Sequence, residues 1–441
     1  MYALQLEIDP DNILVAAAHP FMSEQEKQAR RITFWVTYYC VRLMQSVVVR
    51  SHGIRQITIK SDKIKPAKTI YYDKYNGQIE ATATVCHLVA ILDAIELVKS
   101  HHYTVPQTVS QVIYPSSFEA LSFHLNTLRY QLPLHLLCNN FTCPPSVFLD
   151  NIANDTSHTR KSTIIETLYD AIMVSMTFNS AKCILYRPQL YLTYFLKLDG
   201  PALLDNPKAI TILLTAIDES MKSARKITQL NSWLVMNPNW SAHLHFVFSA
   251  FSLFEACVIC WFLTCRTRSF WFWNGAPFSS ASSPAIASPY LTNQMGCSDE
   301  SSSSLSLSME ERRAIRSELL DAIISLKAIE VSFAMAGPLR ECVEAMVVEM
   351  AHVEEQILLG VAETEGMLFP GGDACFRSVG IELDNVLIGM KSMAIGDDGE
   401  MREKVGEGWA FLGLLGVSIG KGVRWNAFYE DSWARFWSTV R

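Results

Sequence analysis

The 441-residue chain has little charge and no basic excess. Only 18% of its residues are charged, its formal net charge is −7 and its pI is near 5.9. This balance argues against a chain that binds nucleic acid through a strongly basic surface, so any contact with DNA must be local. The hydrophobic content of 49% is still enough to bury a sizeable core, in one large or two medium domains.

The sequence also lacks the layout of a secreted protein. Its first residues, MYALQLEIDPDN, do not show the basic-then-apolar order of a secretory signal. Its eleven cysteines are mostly spread singly through apolar surroundings, as at Cys40, Cys86, Cys183 and Cys342. We therefore expect reduced thiols in a cytoplasmic or nuclear protein.

Common catalytic motifs are missing as well. The segment 415–422 fails the phosphate-binding pattern, since Leu415 stands at its first glycine position and Gly422 at its hydroxyl position. No glycine-rich dinucleotide turn and no G-x-S-x-G nucleophile elbow occurs. The paired acids Glu354 and Glu355 are adjacent, and adjacent residues on a helix do not face each other. We predict that the chain is not an enzyme, and we nominate no catalytic or cofactor-binding residue.

One cysteine run invites a metal interpretation. Cys257, Cys260 and Cys265 form a C-x2-C-x4-C pattern, but a structural zinc site needs four ligands that converge tetrahedrally. The three thiols lie on one apolar segment without a nearby histidine or second pair, so we predict core cysteines and no metal ligand. The histidine pairs also lack partner ligands at suitable spacing and are predicted to be satisfied or exposed: His101–His102 and His243–His245.

Alternating strand patterns are nearly absent, with residues 54–59 as the best short exception. Most of the chain instead carries apolar residues at three- and four-residue steps, separated by Pro, Gly or Asn-rich joints. The fold class predicted from this pattern is all-α, a multi-helix bundle or array in which each helix buries one face. The predicted helices, after the first, cover residues 79–99, 118–132, 163–185, 207–230, 244–265, 309–334 and 339–359.

The apolar run over residues 244–265 is long enough to cross a bilayer. Against this stands Glu255 in its middle, because an ionised carboxylate at bilayer depth is costly. We interpret the run as a buried core helix. A membrane-associated helical protein that uses it as a span is the alternative.

The first predicted helix begins with a capping box at Ser23, in the sequence SEQE. Its apolar residues at helical spacing predict one buried stripe, and a glycine near 51–53 predicts its end. The stripe consists of Ile32, Trp35, Val36, Tyr39, Leu43 and Val47. We expect the aromatic residues of segment 34–39 to belong mainly to the core, with the flanking arginines capping or bridging neighbouring helices.

The same region carries a set of residues in a familiar order: Arg30-Arg31, Phe34-Trp35, Tyr38, Val41-Arg42 and Arg50, followed by Asp62, Ile64 and Pro66. These residues resemble the middle homology region of fungal zinc-cluster transcription factors, also called the fungal-specific transcription factor domain. Val41 stands where that family usually has aspartate, so Arg42 must find another acceptor. Later segments resemble family elements in the same order: LNTLRYQLP (125–133), MTFNSAKCILYRP (176–188, with Arg187 and Pro188 matching), SARKITQL (223–230) and the apolar helix 246–262.

The resemblance implies a non-enzymatic regulatory domain of a fungal transcription factor, acting in the nucleus. For full-length family members it implies zinc and sequence-specific DNA binding through a six-cysteine cluster, a spacing that these residues lack and that we expect only upstream. The start MYALQLEID resembles the interior of a family helix, so we expect the chain to begin inside its domain. Expected partners are DNA in the full-length family, the transcription machinery or regulatory proteins, and a second copy in a homodimer, without a membrane.

The remaining alternative is a helical small-molecule-binding sensor or enzyme, which requires a polar-lined pocket between helices.

Four segments are predicted along the chain. Residues 1–275 form the regulatory domain, and 309–360 supply its C-terminal helices. Residues 276–308 are a Ser/Pro-rich insertion predicted to be disordered, because their apolar content does not offset the entropy of ordering. Residues 361–441 form a tail with frequent glycines and a terminal aromatic cluster. The acidic character of this end begins earlier, since residues 341–410 hold 15 acidic and 4 basic residues.

Overall fold

The computed structural model describes residues 21–47, 65–73, 77–102, 106–138, 158–195, 206–236, 247–265, 267, 307–333, 336–359, 418–419 and 423–424. The element order is α1 (Glu24–Val47), β1 (Lys68–Asp73), β2 (Gly77–Thr82), α2 (Thr84–His102), α3 (Val109–Ile113), α4 (Phe118–Gln131), a 3₁₀ turn (Leu134–Leu136), α5 (His158–Phe195), α6 (Pro207–Met236), α7 (Val247–Cys265), α8 (Met309–Glu330), α9 (Ala336–Leu358), β3 (Ser418–Ile419) and β4 (Val423–Arg424). The predicted all-α array is confirmed.

The helix starts follow from local capping chemistry. Ser23 Oγ accepts a hydrogen bond from the amide of Glu26 at 3.2 Å, as the SEQE pattern predicts. Asn206 Oδ1 accepts from the amide of Lys208 at 3.1 Å, just before Pro207 opens α6. Ser308 and Glu311 form a reciprocal capping box at the start of α8.

Two hydrophobic clusters make up the core, and α5 belongs to both. The first joins α5 to α3, α6, α7, α8 and α9. The second joins the other side of α5 to α1, α2, α4, the hairpin β1–β2 and the 3₁₀ turn. Because α5 is covered on both sides, it is apolar around most of its circumference, as expected for a buried helix.

The apolar run predicted from 244–265 becomes α7, the most deeply buried helix of the first cluster. Nearly every described side chain from Ser249 to Cys265 is buried, against α5, α6, α8 and α9. The interpretation as a core helix is therefore confirmed. Among the residues that the structure describes, no helix has the length and apolarity needed to cross a membrane. The alternative in which this segment is a span is not supported.

The buried face of α1 differs from the predicted stripe. Phe34 and Tyr38 are 1% and 0% exposed, whereas the predicted core residues Ile32 and Val36 are 37% and 45% exposed. Trp35, Tyr39 and Leu43 are buried as predicted. The large aromatic rings take the interior because they remove more apolar area from water than the β-branched side chains beside them.

The hairpin β1–β2 is the second departure from the sequence prediction. Residues 79–82 were assigned to a helix but pair antiparallel with β1, with Tyr71 opposite Ile79 and Lys68 opposite Thr82. The helix that follows begins only at Thr84. The dipeptide Asn76-Gly77 is a strong hairpin signal that the helical assignment ignored.

Other predicted helices are confirmed within a few residues, and two are longer than predicted. The helix predicted over 163–185 extends as α5 through Pro188 to Phe195, and that predicted over 207–230 extends as α6 to Met236.

Several predictions lie outside the described residues: the end of α1 at 51–53, the strand at 54–59, His243 and His245, nearly all of the Ser/Pro-rich insertion, and the terminal aromatic cluster.

Charged or polar pairs connect neighbouring helices across both clusters. In each, a carboxylate of one helix meets a cation or indole of another, so a buried charge is matched at the interface. The pairs are Arg42–Asp93 (α1 to α2, 2.7 Å), Arg187–Glu255 (α5 to α7), Arg225–Glu318 (α6 to α8, 2.8 Å), Trp261–Glu349 (α7 to α9, 2.9 Å) and Arg316–Glu354 (α8 to α9, 2.9 Å). In place of a neighbouring aspartate, Arg42 forms an ion pair with Asp93, and its Nε donates to the hydroxyl of Tyr38 at 3.0 Å.

A pair of alanine substitutions tests the buried face of α1. Phe34→Ala removes a fully buried ring, so we expect a loss of about 3–5 kcal/mol in the free energy of unfolding. Val36→Ala on the exposed face is expected to change it by less than about 0.5 kcal/mol. Urea denaturation followed by circular dichroism measures both, and equal losses would contradict the assigned face.

Candidate functional site

The segment Tyr186-Arg187-Pro188, which carries part of the family resemblance, forms a polar centre inside the array. The Arg187 side chain is 0% exposed and pairs with Glu255 at the middle of α7. Glu255, the charge that argued against a membrane span, is thus matched by a cation within the fold. Without its partner, either charge would be buried with nothing to offset the free-energy cost of its desolvation.

Pro188 creates a second requirement at the same place. A proline inside a helix has no N–H for the carbonyl four residues earlier, which is that of Ile184. His102 Nε2, from the end of α2, lies 3.0 Å from this carbonyl oxygen and donates to it. Since a carbonyl can only accept, the neutral ring carries its proton on Nε2. His102 therefore supplies the hydrogen bond that Pro188 removes.

The surroundings of His102 favour its neutral form. The pKa of His102 is lowered to about 3, mainly by burial and also by the neighbouring His101 and Arg187, while the bond to Ile184 opposes them. His101 lies at the edge of this centre, with its Nδ1 2.7 Å from Ser117 Oγ. Both histidines of this pair are thus engaged in hydrogen bonds, as the sequence predicted.

A second polar centre fastens the hairpin to the helices. Thr84 Oγ1, at the start of α2, donates to Asp170 Oδ2 of α5 at 2.7 Å. The hydroxyl of Tyr71 of β1 lies 2.8 Å from the same Thr84 Oγ1, and it also donates to the carbonyl oxygen of Thr82 at 3.2 Å. The ring of Tyr71 also packs against His135, with centroids 4.5 Å apart. A chain of hydroxyl groups therefore runs from β1 to the carboxyl of Asp170.

The carboxyl of Asp170 has an altered acidity in this second centre. Burial raises the pKa of Asp170 to about 6, the bond from Thr84 opposes this, and Glu166 adds to it. Such a carboxyl takes up a proton near neutral pH, as a general acid or base does. Its carboxyl accepts from the hydroxyl of Thr84, which also contacts Tyr71 of the hairpin, and this geometry gives Asp170 the role of attaching the hairpin.

The cysteine run Cys257, Cys260 and Cys265 does not fit a metal site. All three side chains are buried in the first cluster, and burial raises the pKa of Cys257 and Cys260 above the usual thiol range. Thiols that stay protonated are poor metal ligands. Within the described ranges, no group of three or more His, Cys, Asp or Glu side chains is placed to hold a metal ion.

The outer face of α4 carries a row of large apolar side chains. Phe123 and Tyr130 of α4, with Leu134 of the 3₁₀ turn that follows it, are 74%, 88% and 79% exposed, and together we call them the α4 stripe. The opposite face of α4 is buried through Leu125, with Leu121 and Leu128 packed against the second cluster. Exposed apolar side chains concentrated on one helix face are typical of surfaces that bind another protein.

The structure brings together some residues that the sequence singled out and uses others separately. Arg187 and Glu255 meet, while the paired acids divide: Glu354 is buried against Arg316, and Glu355 is exposed. Sequence reasoning missed the Tyr71, Thr84 and Asp170 relay altogether. A tyrosine in a strand pattern just before a hairpin signal could have pointed to Tyr71, but not to its partners in the helices.

Comparisons of the chain with protein-family models, with curated proteins and with solved structures find no match.

A double-mutant cycle tests the role of His102. His102→Phe keeps a ring but removes the donor, and we expect it to cost about 1–3 kcal/mol of unfolding free energy, since the Ile184 carbonyl is left unpaired. In a Pro188→Ala background the restored N–H satisfies that carbonyl, so the cost should fall by at least half. Urea denaturation of the four proteins measures the coupling. His101→Phe is the control, and no coupling for either histidine would refute the assignment.

The pH dependence of stability tests Asp170. Its folded-state pKa lies above its ordinary value, so it favours folding most below about pH 4, and this contribution is lost as the pH rises through about 6. Relative to wild type, Asp170→Asn should therefore gain up to about 3 kcal/mol between pH 4 and pH 7. Urea denaturation at each pH measures this gain. Asp321→Asn on α8 is the control, and equal slopes in the two variants would contradict the assignment.

Proposed function

We propose that this chain is a non-enzymatic regulatory domain of a fungal transcription factor, which acts in the nucleus by contacting the transcription machinery or regulatory proteins. The family resemblance of segments 23–66, 125–133, 176–188 and 223–230 supports this proposal. Their described parts fold as packed helices, and Arg187 and Pro188 occupy an interior centre. Packed helices with a polar centre in their interior suit a domain that keeps one shape.

The observation that carries the proposal is the α4 stripe. Its three members are mostly exposed, and Phe123 and Tyr130 lie seven residues apart on α4, on the side away from the buried Leu125. A protein partner that covers them would gain roughly 25 cal/mol per Å² of buried apolar surface, which is the usual source of affinity at such contacts. The polar side chains described above instead lie between helices and bond to one another.

DNA binding and zinc belong to this proposal only through the full-length family. The chain as a whole is acidic, and the buried cysteine run of α7 does not suit zinc. DNA recognition would then come from a zinc cluster upstream, while this domain governs what the bound factor does. A homodimer remains part of the same proposal.

A reporter assay tests the proposal. The full chain is fused to an unrelated DNA-binding domain, and transcription from its binding site is compared with that driven by the DNA-binding domain alone. We expect the fusion to change reporter output in either direction. Phe123→Ser with Tyr130→Ser should abolish most of that change, because the partner loses its two aromatic anchors.

The matched control replaces two other exposed apolar residues, Leu320→Ser and Ile324→Ser on α8, which are 45% and 55% exposed. This control should keep the reporter change, and both variants should keep the wild-type melting temperature. A wild-type fusion that behaves like the DNA-binding domain alone would overturn the proposed function. Equal effects of the two double variants would instead reject the α4 stripe as its surface.

A further inference from the structure

The serine that precedes α4 departs from the geometry of the other N-cap residues. Ser23, Thr108 and Ser308 each accept, through the side-chain oxygen, a hydrogen bond from the amide three residues further on. Ser117, the N-cap of α4, makes no such bond. Its Oγ lies instead 2.7 Å from Nδ1 of His101, near the end of α2. The hydroxyl of Ser117 is therefore directed to an imidazole and not to its own helix.

The ring of His101 is in a state that can take a proton. It is half-buried, and burial lowers the pKa of His101 below its ordinary value, so the ring is neutral at neutral pH. A neutral imidazole with its proton on Nε2 accepts a hydrogen bond at Nδ1. A serine hydroxyl that donates to such a nitrogen is the arrangement in which serine becomes a nucleophile.

The first turn of α4 adds hydrogen-bond donors beside this pair. An N-cap side chain normally binds the amides at the second and third helical positions, which here belong to Glu119 and Ala120. Because Ser117 does not cap the helix, these amides donate to none of the described residues. They lie at the positive end of the helix dipole, so they favour an oxygen that gains negative charge next to Ser117 Oγ.

The charges at this place favour an acyl group over a phosphoryl group. Glu119 is exposed in the first turn of α4, and its carboxylate repels an anionic donor. Phosphoryl transfer depends on metal ions or cationic side chains that neutralise the phosphate, whereas acyl transfer needs a nucleophile, a base and amide donors. A thioester is the suitable donor class, because a thiol is far more acidic than an alcohol and its thiolate leaves readily.

We propose that Ser117 is a modification site that takes one acyl group from a thioester, with His101 as the base. The Oγ attacks the carbonyl carbon, the new O–C bond replaces the C–S bond, and the hydroxyl proton passes through Nδ1 of His101 to the departing sulfur. The products are an O-acyl serine and a free thiol. The acyl carbonyl oxygen can then accept from the open amides and cap α4. One transfer per chain is a modification and not turnover, and the inference does not depend on a role in transcription.

Acylation is measured on the full wild-type chain with an uncharged probe, S-acetyl-N-acetylcysteamine, near neutral pH. A wash with neutral hydroxylamine removes acyl groups from cysteines, and mass spectrometry of peptides then locates the remaining acetyl groups. Ser23 and Ser308 are internal controls, because both are N-caps that are more exposed than Ser117 and both bond to their own helix. We expect Ser117 to be labelled at least about tenfold faster than either, since a positioned general base contributes about a hundredfold or more.

Replacement of two histidines tests the base. His101→Gln should slow the labelling of Ser117 by about tenfold or more. His124→Gln, at an exposed position of α4, is the matched control and should be labelled as the wild type is. Melting temperatures report whether the variants fold, and the comparison of serines within the wild-type chain needs no variant. The proposal is overturned if Ser117 is labelled no faster than Ser23 and Ser308, or if the two glutamine variants are labelled at Ser117 at the same rate.

Discussion

The buried ion pair between Arg187 and Glu255 is the interaction on which the helical arrangement depends. The helix α5 belongs to both hydrophobic clusters, and α7 lies deep within one of them. A fully buried guanidinium is tolerated only where a carboxylate meets it, so the two helices can pack stably only in the register that joins these side chains. One residue further on, Pro188 requires a donor that α2 supplies through His102. Three helices are thereby fixed at one level of the array.

The interior and the surface of the molecule differ in what their side chains do. Inside, charged and polar pairs such as Arg187 with Glu255 and Thr84 with Asp170 connect neighbouring helices, and they fix which helices pack together. Outside, the molecule presents the apolar α4 stripe, which suits a protein partner. Under the proposed function, the interior pairs hold the shape of the domain and the stripe is its contact surface.

The sequence predicted the helices better than their faces. Repeats such as Leu121, Leu125, Leu128 and Leu132 located α4 because each helix must bury one side. The stripe of α1 was partly wrong, since aromatic and β-branched residues compete for the same core and only packing decides between them. The hairpin was missed because the short segment 79–82 taken alone fits a helix equally well, and the turn signal Asn76-Gly77 before it was given no weight. The polar centres could not be predicted, because Thr84 and Asp170 are 86 residues apart and Arg187 and Glu255 are 68 apart. Only the topology brings such pairs together.

The most direct test of the central claim compares single and double replacement of the buried ion pair. Arg187→Met, Glu255→Leu and the double variant are measured by urea denaturation, with amide hydrogen exchange reporting the protection of α7. Each single variant leaves one charge buried without its partner and should lose about 3–5 kcal/mol, whereas the double variant should recover most of that loss, because two apolar side chains need no partner. Additive losses in the double variant, or a single variant as stable as the wild type, would contradict the account.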